Sequence, residues 1–123
     1  MKLILISHHY NLVESIKEYI INMLPGIKAD DIINASGLED NSLGTDLEKI
    51  SGFIQEIDSK IVLLPDIGSS VMQAEIAKEM FRDKEILVVK NAFLESAFAI
   101  SAIMDDDITF EEILSKLQNV ISK

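Results

Sequence analysis

Leu3-Ile4-Leu5-Ile6-Ser7-His8-His9 decides the fold: four apolar residues end at a small hydroxyl and two imidazoles, just before a helical pattern begins. An apolar run without alternation marks a strand covered on both faces, as in a parallel sheet flanked by helices. A strand that feeds straight into a helix puts its last polar residues at the carboxyl edge of that sheet, where open α/β folds bind ligands. His8 and His9 are the only two histidines in the chain.

Outward from this strand, Leu12, Ile16, Tyr19, Ile20, Met23 and Leu24 recur at helical spacing until Pro25-Gly26 ends the pattern. Ile27 to Ala35 reads as a modest strand near a sheet edge. A loop rich in turn formers follows over 36–44, longer than most connections in a compact domain. Thr45 and Glu48 have capping-box spacing ahead of a helix bearing Leu47, Ile50, Phe53, Ile54 and Ile57. Gly52 inside it costs about 1 kcal/mol relative to alanine, so close packing against it is expected.

Lys60 to Pro65 is a second fully apolar strand, ending at Asp66-Ile67-Gly68-Ser69-Ser70. Ser69 or Ser70 is expected to cap the next helix, Ser70 with Gln73 having capping-box spacing, and Val71, Met72, Ala74, Ile76, Ala77, Met80 and Phe81 to be its apolar residues. Glu85 to Lys90 is a further buried strand. The helix from Phe93 to Met104 is apolar nearly all round, so it is either deeply buried or half of an oligomer interface. Asp105-Asp106-Asp107 is a solvated turn without the spacing of a cation loop, and no metal is expected. Thr109 and Glu112 box a last helix using Phe110, Ile113, Leu114, Leu117, Val120 and Ile121.

Strands at helix-sized intervals require a parallel sheet with right-handed crossovers and helices on both faces: an α/β, doubly wound fold, one domain over 1–123. The two most apolar strands after the first are expected to be central. If the first and third strands are neighbours, their ends bring His8 and Asp66 together at a topological switch point.

The chain has 123 residues and a formal charge of -10, from 21 acids against 11 bases. That balance disfavours nucleic acid and anionic membranes as partners and would favour docking to a basic protein surface, although acidity that merely aids solubility is the plainer reading. No apolar run nears the ~20 residues of a membrane span, so the expectation is a soluble, cytoplasmic protein. The lack of cysteine rules out disulfides, thiolate metal sites and a cysteine nucleophile.

A neutral imidazole has one ring nitrogen with a free lone pair, able to attack an electrophile once the other nitrogen is held. Asp66 is suited to hold it, fixing the tautomer and stabilising developing positive charge. Helix amino termini after His8-His9 and after Gly68-Ser69 favour an anion, and Gly44-Thr45 adds a hydroxyl and backbone donors at the same edge. A histidine nucleophile, an orienting acid and a phosphate-friendly floor suit phosphoryl transfer. The plainer readings remain open here: a histidine after a strand is also an ordinary helix-start residue, Asp66 to Ser69 is also ordinary turn chemistry, and Thr45 suffices as a cap. His9 is turned away by the alternation of an extended segment and is given a supporting or solvent-facing place. Residue patterns alone lead to an α/β domain with an anion site at one sheet edge.

Taken together, Ile6-Ser7-His8, Gly44-Thr45-Asp46, Asp66-Ile67-Gly68-Ser69 with Ala74-Glu75, and Phe93-Leu94-Glu95 resemble the mannose-type IIA domains of the bacterial sugar phosphotransferase system. The likeness is to the phosphotransfer subunits of phosphoenolpyruvate-dependent dihydroxyacetone kinases in particular, and runs over essentially the whole chain. It implies a homodimer in which His8 is phosphorylated by HPr, Asp66 is bonded to it, and Ser69 and Thr45 match polar positions around the phosphoryl group. The phosphoryl group would pass to ADP held in the ADP-binding kinase subunit, with no cofactor on this chain itself. A IIA component of a mannose-type sugar permease and a non-catalytic regulatory module share the fold and are the alternatives. A response-regulator receiver needs an acidic cluster at the end of strand one, where this chain has Ser7-His8.

Overall fold

Residues 1–120 are described by the computed structural model. β1 (Lys2–Ile6) leads into α1 (Tyr10–Met23), and β2 (Ile32–Asn34) into α2 (Leu47–Gln55). β3 (Ile61–Pro65) leads into α3 (Ser69–Met80), and β4 (Ile86–Val88) into α4 (Phe93–Ile103) and α5 (Phe110–Lys116). The strands form one parallel sheet in the order β2-β1-β3-β4, with Leu3 opposite Ile32 and Val62, and Ile6 opposite Pro65. The chain goes outward from β1 to β2 and then returns past β1 to β3. The switch point therefore lies between β1 and β3, at the end of the opening strand.

Strand side chains alternate between faces, and this divides the core in two. Leu3, Leu5, Val62 and Leu64 pack with Val13, Ile16 and Ile20 of α1, Ala97 and Ile100 of α4, and Ile113 of α5. Ile4, Ile6, Ile61 and Leu63 pack on the other face with Ile50 and Ile54 of α2 and Ala74 and Ala77 of α3. Each fully buried leucine or isoleucine contributes roughly 1.5–3 kcal/mol relative to exposure, so the central strands anchor the frame on which the site is built.

Several expectations need correction. β3 is central, but β4 is an edge strand although it is nearly as apolar. Strand hydrophobicity reports how well helices cover its faces, not how many strands flank it. The segment from Ile27 is strand only over Ile32–Asn34, because Ala29–Asp31 forms a 3-10 turn that Lys2 ties down by donating to Asp31 at 2.8 Å. Gly52 has nothing within 4 Å of where a Cβ would lie, so no close packing explains it. α3 buries Ala74 and Ala77 only among its expected apolar residues, and Met72, Ile76 and Met80 are exposed.

α4 is neither wholly buried nor wholly free: Ser96, Ala97, Ile100 and Ser101 face inward while Leu94 is exposed. Thr109 and Glu112 form the expected capping box of α5. That helix ends at Lys116, so Leu117 and Val120 pack from the turns beyond it, and Ile121 lies outside the described residues. Among the described residues no helix is long and apolar enough to cross a membrane.

Candidate active site

The register of β1 on β3 sets the site. Asp66 N–H donates to the carbonyl of Ile6 at 2.9 Å, so both strands end level, with Ser7-His8 beside Asp66. His8 Nδ1 lies 3.3 Å from Asp66 Oδ1 and 3.2 Å from Ser70 Oγ. His8 Nε2 lies 2.9 Å from Ser69 Oγ, which is 3.2 Å from Thr45 Oγ1. One ring nitrogen thus faces inward to a carboxylate and a hydroxyl, and the other faces outward to a pair of hydroxyls.

Asp66 is a shielded carboxylate, its side chain 16% exposed against 32% for His8. Burial alone would raise its pKa, but hydrogen bonds from the Ser70 hydroxyl, the Ile67 N–H, the Ser7 hydroxyl and the His8 N–H outweigh that and hold it below the usual carboxylate range. It is therefore ionised near neutral pH and acts only as an acceptor. In a neutral ring that acceptor favours the tautomer with the hydrogen on Nδ1 and the lone pair on Nε2.

Two backbone devices complete the floor. Gly68 precedes α3 at φ 58 and ψ -124, a conformation essentially reserved for glycine. This sharp turn presents Ser69 and Ser70 to both nitrogens of one imidazole. The amides of Ser70 and Val71 turn back to the carbonyls of Ile67 and Gly68, so the donors ahead of them, at Gly68 and Ser69, are the ones left for an anion. Across the site, Gly44 N–H donates to His8 O at 2.8 Å, and Gly37 pairs with Thr45 in an isolated parallel bridge. The loop after β2 is thereby fastened to the end of β1.

Sequence reasoning brought together His8, Asp66, Gly68, Ser69 and Thr45, and the structure has all five at this edge. It assigned some side chains differently. Asp46, not Thr45, caps α2 by accepting from Glu48 N–H at 3.0 Å, because Thr45 is committed to the bridge and turned to Ser69. Neither Ser69 nor Ser70 caps α3: both lie inside the helix, with their hydroxyls directed at His8. His9 points away from Asp66 and caps α1, its Nδ1 accepting from Leu12 N–H at 3.0 Å. Ser70 and Ser7 were missed as site residues, and the doubled serine after Gly68 was the available signal for the first. Among the described residues no cluster suited to a metal occurs.

Three large apolar side chains on the segments that form the site are exposed: Leu43 is 73% exposed, Ile67 68% and Met72 66%. Each is a near neighbour in sequence of a residue that touches His8.

A family model described as the fructose IIA component of the phosphotransferase system, EIIA-man, matches residues 2–117. The chain belongs to the EIIA-man family. As an EIIA-man protein, it is 26% identical over 120 residues to the phosphotransferase subunit DhaM of the dihydroxyacetone kinase of Lactococcus lactis, covering 97% of this chain and 94% of that one. It is 29% identical over 126 residues to a phosphoryl donor subunit DhaM of Listeria innocua, with 98% of each chain covered. The EIIA component from Streptococcus agalactiae has the same fold, with a TM-score of 0.71 at 16% identity, over 94% of this chain and 88% of that one. The parallel four-stranded sheet is thus the family's architecture, and the relatives named by activity are phosphotransfer subunits.

Proposed function

We propose that this chain is a phosphocarrier: His8 takes a phosphoryl group from the phosphohistidine of HPr and passes it to ADP held in the ADP-binding subunit of a dihydroxyacetone kinase. The observation that carries this reading is the division of labour on one ring. Nδ1 is held 3.3 Å from the Asp66 carboxylate, while Nε2 opens toward the Ser69 and Thr45 hydroxyls.

The lone pair on Nε2 attacks phosphorus, the N–P bond of the donor breaks, and its electron pair returns to the donor imidazole. Positive charge develops on the His8 ring and is stabilised by Asp66, which keeps its own negative charge. The Ser69 hydroxyl swings from Nε2 to a phosphoryl oxygen, joined by Thr45 and by the N–H groups of Gly68 and Ser69. In the second half an oxygen of the terminal phosphate of ADP attacks, and the N–P pair returns to Nε2. This chain binds no nucleotide of its own, since ADP and ATP stay on the kinase subunit.

Both partner proteins seat in turn on an apolar rim to which the exposed side chains of Leu43, Ile67 and Met72 contribute in this reading. The exposed side of α4, with Leu94, serves a homodimer contact, and the relay works in the cytoplasm. The test is reconstitution with phosphoenolpyruvate, enzyme I, HPr and the kinase subunits, following phosphorylation of dihydroxyacetone. Phosphorylation that requires this chain supports the proposal. A chain that is phosphorylated but discharges only to a sugar-permease component would contradict the acceptor.

A further inference from the structure

We propose that Lys49 is a positioning residue for the transfer, holding the loop over 36–45 so that the Thr45 hydroxyl stays on Ser69. This rests on the reading that His8 carries the phosphoryl group. Lys49 stands in the first turn of α2, and its Nζ donates to the carbonyls of Ser36 at 2.7 Å and Leu38 at 3.1 Å and to Asn41 Oδ1 at 2.7 Å. An ammonium has three hydrogens, and all three are used inside one loop. The same Nζ lies 5.0 Å from the ring centroid of Tyr10, the first residue of α1. Among the described residues no carboxylate forms an ion pair with it within 4.0 Å, and the one carboxyl that its charge helps to lower, Asp40, lies in the same loop.

A lysine on a surface helix ordinarily keeps its rotamer freedom, and fixing it carries one of the larger side-chain entropy costs. What this fixation achieves is visible at the two ends of the loop. Ser36 Oγ accepts from Ser7 N–H at 2.9 Å, and Gly44 N–H donates to His8 O at 2.8 Å, so one end hangs on His8 and the other on the residue before it. Between them, Asn41 takes φ 67, and a Cβ on Gly44 would come within 2.8 Å of Leu38, leaving little slack. The order of contact is thus Lys49 to the loop, Thr45 to Ser69 at 3.2 Å, and Ser69 to His8 Nε2 at 2.9 Å.

The test is Lys49→Met, alone and combined with Thr45→Val, with Asn41→Ala as a milder probe of the same latch. Two quantities are read: amide exchange at Gly44 in the unphosphorylated chain, and transfer from phosphorylated HPr at saturating donor. Lys49→Met should keep a cooperative melt, speed Gly44 exchange, and slow transfer roughly ten- to a hundredfold with KM for HPr little changed. In the Thr45→Val background the same substitution should cost less than about twofold, because the group through which Lys49 acts is already gone. Asn41→Ala should move both readouts in the same direction by less. A merely structural role would slow transfer equally in both backgrounds, and that result overturns the proposal, as does unchanged Gly44 exchange. Wild-type protein that accepts nothing from phosphorylated HPr would defeat the phosphocarrier reading instead, while the exchange measurement still judges the latch.

Discussion

His8 Nδ1 and Asp66 Oδ1 are 3.3 Å apart although 58 residues separate them in the chain. They meet because β1 and β3 are neighbours and end level, Ile6 opposite Pro65. The contact therefore belongs to the topology and does not depend on a flexible loop.

Asp66→Asn keeps the shape but replaces a carboxylate by an amide that can also donate. The His8 tautomer is then no longer fixed, and the charge developing on the ring has no counterion. Phosphoryl transfer from HPr should slow by at least about a hundredfold with the fold retained, as single-turnover kinetics and circular dichroism would record.

Acid stability follows from the same group. The Asp66 carboxyl is held below its ordinary range in the folded chain, so it contributes stability above the unfolded value, which is lost as pH falls through the folded one. Urea midpoints of wild type and Asp66→Asn should differ by a constant amount above about pH 5 and converge as pH falls from there through the folded-state value. Asp40 and Asp106 are also lowered, but both variants retain them, so they cancel in the difference. A gap independent of pH would contradict the linkage.

Two glycines should respond in opposite directions. At Gly68 a Cβ would meet nothing within 4 Å, yet φ is 58, so Gly68→Ala should cost about 1–3 kcal/mol through the backbone alone and displace Ser69 and Ser70. Gly52 is equally open but lies within α2 without a positive φ, so Gly52→Ala should stabilise by about 0.5–1 kcal/mol. Chemical denaturation of both variants checks the pair.

The difference between these glycines marks what could be read in advance. Ser7-His8 and Asp66 were legible because each follows an apolar strand, and strand ends in a parallel sheet share one edge. Which hydroxyl caps and which reaches the imidazole was not legible, since adjacent serines or a Thr-Asp pair differ only in backbone angles set by the turn before them. Ser70, Asp46 and His9 took roles that spacing rules assigned elsewhere or left open. Lys49 carried no local signal at all, because its acceptors are carbonyls and an amide of a loop whose path only the folded chain defines.

Ile67 projects from the turn between Asp66 and Gly68 and is 68% exposed. Ile67→Asp leaves the imidazole contacts in place but sets a charge in the apolar rim. KM for phosphorylated HPr should rise about tenfold or more with the rate at saturation little changed, in steady-state phosphotransfer assays. A loss confined to the saturated rate would show that the rim does not seat the donor.

The central claim is that one nitrogen of one histidine carries the phosphoryl group. It is tested most directly by nuclear magnetic resonance of ¹⁵N-histidine-labelled protein after incubation with phosphoenolpyruvate, enzyme I and HPr, alongside His8→Ala and His9→Ala. The account predicts a single phosphohistidine at Nε2 of His8, absent from His8→Ala and retained in His9→Ala, which loses about 1 kcal/mol of stability with its cap. A phosphoryl group on Nδ1 or on His9, or none with active donors, would contradict it.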